Sequence, residues 1–364
     1  MTVRMISALA IVSSLMGCGS PVPTSPEAKS ERNGFEVAGH MTDKRHGHYS
    51  ILLRDGRVLI GGGAAAGGTC AYSTYHTSAE IFDPETGSSR ATRSMSTARM
   101  GDEGTLLLDG RVVFASATQH TRSKTYPVEI FNPRTGEFTP IQFNPAFEKI
   151  SRSMVLSNGK ILAFGRSGTI WTIDPETGEF EFKNRLAVPR GAYTATMLRD
   201  GRALITGGIT DRAVRDSEIY DPSSNVITKI GSLSHERFGH VALLLPGGSV
   251  FIAGGRKGDP ASPTQVTAAE RYDPSNGMFS QAGSPGNEQI RAAAVLNTGD
   301  VFFILRSGEA VLYDPENGTF HPTGHSIGLD YRLYSVTVLR DGRVLVIGGS
   351  RNGETLDQIL AYRP

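Results

Sequence analysis

Residues 334–349, YSVTVLRDGRVLVIGG, decide the fold. Two apolar runs rich in β-branched residues flank Asp341-Gly342, and Asp-Gly in that setting marks a hairpin because the tight turn needs positive φ at its centre. The same register recurs as HYSILLRDGRVLIGGG from His48, DEGTLLLDGRVVFASA from Asp102, SRSMVLSNGKILAFGR from Ser151 and YTATMLRDGRALITGG from Tyr193. HVALLLPGGSVFIAGG from His240 and RAAAVLNTGDVFFILR from Arg291 complete seven gapless blocks. Each of the first six is followed by a second segment, EIFDPETG from Glu80, EIFNPRTG from Glu129, WTIDPETG from Trp171, EIYDPSSN from Glu218, ERYDPSNG from Glu270 or VLYDPENG from Val311. In it a strand meets Asp-Pro or Asn-Pro, a turn follows, and a short fourth strand carries Phe138, Phe180, Phe279 or Phe320. The block glycines from Gly56 to Gly342 are 54, 49, 42, 47, 51 and 43 residues apart. Seven four-stranded units of that length predict an all-β chain forming a seven-bladed β-propeller.

Composition agrees. Of 364 residues 43 are Gly, hydrophobic residues make up 38% and charged residues 20%, enough for a large core with many tight turns. With 37 basic and 36 acidic side chains there is no global field to attract nucleic acid. Two cysteines, Cys18 and Cys70, cannot make a disulfide framework or a four-thiolate zinc site. No phosphate-binding glycine loop, HExxH helix or GxSxG elbow is present, and no metal or cofactor is expected.

The apolar run ending in Gly-Gly, the aromatic on the third strand and the large aromatic on the fourth resemble the kelch repeat over residues 34–364. In style the repeats look closest to the galactose-oxidase-like kelch propellers. Phe stands where that family usually has a fourth-strand Trp, and the units starting at Asp102, Ser151 and Arg291 lack Gly-Gly. The seventh unit ends with its third strand at residues 360–364, so the N-terminal strand around Phe35 is expected to join the C-terminal blade and close the ring.

The chain start reads as an address. Arg4 precedes a twelve-residue, mostly apolar run, residues 5–16, shorter than the roughly 20 residues that span a bilayer. Residues 1–17 therefore read as a signal peptide. Leu15-Met16-Gly17-Cys18 resembles the lipobox of bacterial lipoproteins, which implies a lipidated Cys18 as the new N-terminus. Residues 18–33, rich in Pro, Ser and charge, read as a flexible tether to the propeller at 34–364. Gly19 rather than Asp after the cysteine implies, by the enterobacterial rule, passage to the outer membrane. The expected localisation is thus the bacterial cell envelope, with the lipid as the only membrane contact.

Seven aligned copies allow positions to be compared within one chain. Three residues before each block stand Arg45, Arg99, Glu148, Arg190, Arg237, Glu288 and Tyr331. Four before each Asp-Pro proline, or its equivalent, stand Glu80, Glu129, Trp171, Glu218, Glu270, Val311 and Leu360. Arginine and glutamate occur together in blades 1, 2, 4 and 5 and never singly, and both positions lie at one end of an antiparallel meander. They read as four structural ion pairs, Arg45–Glu80, Arg99–Glu129, Arg190–Glu218 and Arg237–Glu270.

Candidate ligand-binding residues fall in two sets. The first residues of the blocks, His48, Asp102, Ser151, Tyr193, His240, Arg291 and Tyr334, are expected to line the mouth of the axial channel. An insertion at residues 64–79 brings Cys70, Tyr72, Tyr75 and His76 to the loop between second and third strands of blade 1, and the same loop of blade 2 carries His120, Arg122 and Tyr126. Aromatic, histidine and basic side chains on adjacent long loops suit a sugar or peptide. The expected function is a monomeric, non-catalytic binding or scaffolding module for a protein or glycan at the envelope. Two enzyme readings compete with it. A galactose-oxidase-type copper centre would use His48, Cys70 and Tyr72, but no residues remain for the additional domain such enzymes need. A resemblance to sialic-acid mutarotases would put general acid/base chemistry on Glu148 or Glu288.

Overall fold

A computed structural model of the chain describes residues 10–11, 34–67, 72–101, 104–115, 128–141 and 150–364. Each Asp-Gly block forms the two inner strands of a blade and each Asp-Pro segment the two outer ones. Blade 1 runs Tyr49–Leu52, Val58–Gly61, Ala79–Asp83 and Ser88–Ala91, and blade 5 runs Val241–Leu244, Val250–Ala253, Glu270–Asp273 and Met278–Gln281. Each of the seven blades is built on four antiparallel strands, the described residues contain no helix, and the fold is a seven-bladed β-propeller. Phe35–His40 pairs with Gln358–Tyr362 as the outermost strand of blade 7. There Phe35 stacks on Tyr362 at 5.0 Å, the contact Phe279 makes with Tyr272 at 4.9 Å and Phe320 with Tyr313 at 4.7 Å. Ala10–Ile11 lies against Ala293 and Ala292 on the inner edge of blade 6.

The repeated turns have local causes. In Asp55-Gly56-Arg57 the aspartate accepts the Arg57 amide at 3.1 Å and its Nε at 2.9 Å, while Gly56 takes φ of +92°. Asp200, Asp341 and Asp109 hold Arg202, Arg343 and Arg111 in the same way. At the outer turns Asp83, Asp174, Asp273 and Asp314 each accept the amide two residues on. These bonds tie each hairpin to its own sequence.

The core sits between blades. Seven apolar clusters fill the seven junctions, and the second strand of a blade serves two of them. Val250 and Ile252 face blade 4 while Phe251 and Ala253 face blade 6, so alternation becomes a continuous apolar run. Links on the hairpin face run forward round the ring: Arg54 donates to the Leu108 carbonyl, Arg199 to Pro246, Asn297 to Leu339 and Arg340 to Arg54.

Candidate functional site

The four Arg–Glu pairs form as the repeat implies. Nη2 lies 3.0 Å from the carboxylate in Arg45–Glu80, 2.7 Å in Arg99–Glu129, 3.3 Å in Arg190–Glu218 and 2.7 Å in Arg237–Glu270, and all eight side chains are buried. The second carboxylate oxygen accepts the amide three residues before the arginine, from Thr42, Ser96, Ala187 and Ser234. In blades 3, 6 and 7 the glutamate position holds buried Trp171, Val311 and Leu360. The slot is dry in every blade, filled by an ion pair or by an apolar side chain.

The pairs differ in quality. Arg237 Nη1 also donates to the Gly254 and Ala268 carbonyls, and Arg45 Nη1 to those of Gly62 and Ser78. None of the three guanidinium nitrogens of Arg190 makes a hydrogen bond, and burial lowers its pKa against the pull of Glu218. Gly-Gly accounts for part of this. The second glycine of blade 4, Gly208, donates its N–H to the Arg237 carbonyl of blade 5, as Gly349 does to Arg45 and Gly63 to Arg99. A Cβ on Gly348 would lie 2.6 Å from the Arg45 oxygen, so the close approach requires glycine. Blade 3 has no Gly-Gly to offer Arg190.

The block-start residues depart from the expected channel lining. His48, Tyr193, His240 and Tyr334 are buried in blade junctions. The first strands begin one residue later, so each of these side chains precedes the ladder and packs sideways on the neighbouring blade. His48 Nε2 lies 2.9 Å from Ser335 Oγ of blade 7, His240 Nε2 lies 2.9 Å from Thr194 Oγ1 of blade 4, and Tyr193 donates to the Gly165 carbonyl of blade 3. Burial, with Arg45 or Arg237 nearby, holds His48 and His240 well below the ordinary histidine value, so both are neutral. Ser151 and Arg291 instead sit at β-bulges, half-buried. Asp102, His120, Arg122, Tyr126, Cys70 and Glu148 lie outside the described residues, as does Cys18. The blade 1 insertion, read as a loop, forms a hairpin of Ala64–Gly67 and Tyr72–Tyr75. His76, half-buried beside it, has its pKa lowered by burial and by Arg45.

Sequence reasoning missed a place where charged groups outside the four buried Arg–Glu pairs meet. On the face bearing the loops between second and third strands, a cavity of about 220 Å³ opens between blades 6 and 7, lined by Arg291, Arg306, Arg332, Glu288, Asp330 and Tyr331 among others. Each arginine is set by backbone. Arg291 rides the bulge at the head of Ile290–Val295. Arg306 sits in the tight Leu305–Gly308 hairpin, where Gly308 at φ +87° donates to Leu305 and abuts Gly328. Arg332 is clamped by two backbone bonds to Ser350, of 2.9 and 2.8 Å. Glu288 accepts the Ser307 amide at 2.7 Å, and Asp330 lies 3.5 Å from Arg332. Arg291 Nε is buried without a hydrogen-bond partner, and its pKa is lowered by burial and by the charges of Arg332, Arg306 and Arg256, with Tyr334 opposing. The Tyr334 hydroxyl is also buried without a partner, and burial drives its pKa far up. Among the described residues no group of three or more His, Cys, Asp or Glu side chains is arranged to hold a metal ion.

Known proteins support the architecture. No protein-family model matches the chain. Kelch-like protein 25 of Xenopus tropicalis is 26% identical over 176 residues, 46% of this chain and 28% of that protein. Spermatocyte protein spe-26 of Caenorhabditis elegans is 26% identical over 162 residues, 42% and 27% respectively. The tRNA wybutosine-synthesizing protein 4 of Saccharomyces cerevisiae is 26% identical over 192 residues, 48% and 28%. The matched regions span little more than a quarter of these relatives. A fungal alcohol oxidase of the AA5 family, solved with copper, superposes with a TM-score of 0.51 at 14% identity over 87% of this chain and 62% of its own. The chain is thus similar over less than half its length to a kelch-like protein, and its seven-bladed propeller is similar in fold to the AA5 oxidase.

Proposed function

We propose that the protein is an envelope-anchored, monomeric binding module whose loop-bearing face engages a glycan or protein ligand without transforming it. The observation that carries this reading is the cavity between blades 6 and 7, where three arginines from backbone-anchored positions meet on a ring whose four Arg–Glu pairs are buried. Rigid rings that present preset polar groups suit recognition, because little side-chain order is lost on binding. Cleavage before Cys18 would remove Ala10–Ile11 from the inner edge of blade 6, and the lipid on Cys18 would hold residues 18–33 as a tether. Purified protein applied to a glycan array and to immobilised envelope extract tests the binding role. Reproducible retention of a glycan or envelope protein is expected, and its absence refutes the reading. Fractionation of Cys18→Ser tests the anchor: release to the soluble fraction with loss of fatty-acid labelling is expected, and unchanged membrane association refutes it.

Glu288 favours a second reading, because this glutamate, which stands outside the four Arg–Glu pairs, lines the cavity. A mutarotase-like activity there would speed the anomer exchange of a sugar in a Glu288-dependent way, which exchange NMR detects.

A further inference from the structure

We infer that the cavity between blades 6 and 7 is a monosaccharide site for an acidic sugar, with Arg291, Arg306 and Arg332 taking the carboxylate and Glu288 and Asp330 the ring hydroxyls. This deepens the binding reading above and rests on it. Three features of the site carry the inference.

The first is charge of both signs. Three guanidinium groups and two carboxylates line the cavity, so the site has an excess positive charge and also two groups that only accept hydrogen bonds. A bare tetrahedral anion would satisfy the arginines and sit against Glu288 and Asp330 unfavourably. A ligand with a carboxylate at one end and hydroxyls at the other satisfies both sets, and the planar guanidinium fork matches a carboxylate in bidentate fashion.

The second is unspent hydrogen bonding. Arg291 Nε is buried without a partner, and the Tyr334 hydroxyl is buried without one beside it. Arg45, Arg99, Arg190 and Arg237 also leave Nε unbonded but each faces its own glutamate; an orphaned donor without one calls for an explanation, and a ligand or its ordered water supplies it. In blade 4, the other place where a guanidinium is left without hydrogen bonds, Arg190 at least faces its own glutamate at 3.3 Å. Arg291 has no such carboxylate within ion-pair distance among the described residues.

The third is shape. Blades 5 and 7 raise hairpins at Arg256–Lys257 with Thr264–Gln265 and at Ser350–Arg351 with Glu354–Thr355, whereas blade 6 turns at once through Arg306-Ser307-Gly308. The short turn leaves a notch in the rim. At about 220 Å³ the cavity has the volume of about seven waters, close to one sugar ring.

Calorimetric titration of the full-length protein tests this with glucuronate and galacturonate as probes, against glucose, inorganic sulfate and a glutamate-rich peptide. At least one uronate should bind at least tenfold more tightly than glucose, sulfate or the peptide. Arg306→Ala should weaken that binding at least tenfold with an unchanged melting curve, and Arg291→Lys, which keeps the charge and loses the fork, should weaken it severalfold. Glu288→Gln should weaken uronate binding and leave sulfate binding unchanged. Equal binding of glucose and uronate, tighter binding of sulfate or of the peptide, or uronate binding indifferent to Arg306→Ala overturns the assignment. So does failure of both uronates to bind, and retention on the glycan array or on envelope extract would then leave the broader binding role standing while this site is withdrawn.

Discussion

The junction between blades 4 and 5 and the junction between blades 6 and 7 occupy equivalent places in the ring and are closed by opposite means. At the first, Gly207-Gly208 lets blade 4 approach until the Gly208 amide reaches the Arg237 carbonyl, and Arg237, Glu270 and His240 fill the space behind it. The junction between blades 7 and 1 is its twin, with Gly348-Gly349, Arg45, Glu80 and His48. At the second, blade 6 offers Leu305-Arg306 instead of two glycines, and Tyr331 and Leu360 replace arginine and glutamate. Phe35, Phe302, Ile327, Tyr331 and Tyr334 close that junction as an apolar cluster, which leaves its arginines at the rim. Charge spent in the scaffold is unavailable to a ligand. Where the scaffold is apolar, charge is free to bind.

The harshest way to break this contrast is deletion of residues 34–41. It removes Phe35 from the junction of blades 6 and 7 and bares the edge of Gln358–Tyr362. Melting should drop further than for any single substitution, with hydrogen-exchange protection lost first in blade 7, whereas deletion of residues 19–33 should leave melting unchanged. Equal effects from the two deletions would mean that the N-terminal strand does not support blade 7.

Next in size, Arg237→Ala strands Glu270 in a dry slot and should cost about 3–5 kcal/mol in urea unfolding. Arg190→Ala should cost at least about 1 kcal/mol less, because Arg190 makes no hydrogen bonds to lose. The double change Arg237→Ala with Glu270→Ala should recover part of the loss. Equal costs for the two arginines would remove the distinction drawn between latched and unlatched pairs.

Acid should act on the latched junctions. His48 and His240 have folded pKa values well below 6.5, so below that pH the unfolded chain binds protons that the folded chain refuses. Stability is therefore full above about pH 6.5 and falls as pH drops toward the depressed folded values, by about 1.4 kcal/mol per pH unit for each such histidine. Unfolding measured between pH 7 and 5 should show this slope, and His240→Gln should flatten it. The smallest effect belongs to the open junction: Arg306→Ala and Arg332→Ala should change stability by no more than about 0.5 kcal/mol.

Much of this was legible in the chain. The seven blocks, the turn chemistry and the coincidence of arginine with glutamate in four blades lead directly to the fold and its ion pairs. The side on which His48, Tyr193, His240 and Tyr334 pack was not, because each lies one residue before its strand, where two-residue alternation does not yet apply. The cavity was legible only in part. Arg291 and Tyr334 stood out as block-start residues and Glu288 as a glutamate at the arginine position, but Arg306 and Arg332 come from a hairpin and from the next blade, and no local pattern links them. The signal that could have found them is the missing Gly-Gly of blade 6 together with the missing arginine of blade 7.

The Gly-Gly of one blade serves the arginine of the next, and this sets where the ring can be cut and copied. A cassette taken as one whole sheet carries a socket for its successor and a plug for its predecessor, so its two ends must suit two different neighbours. Blade 6 placed before blade 5 would set Leu305 and Arg306 where Arg237 needs a bare backbone. A duplication running from the third strand of one blade to the Gly-Gly of the next would carry the arginine away from the socket that precedes it, whereas one running from the Gly-Gly of one blade to the second strand of the next would keep socket and plug together. The heritable module of this propeller is therefore out of phase with its visible sheets, and ring size can change smoothly only at boundaries that keep a latch whole.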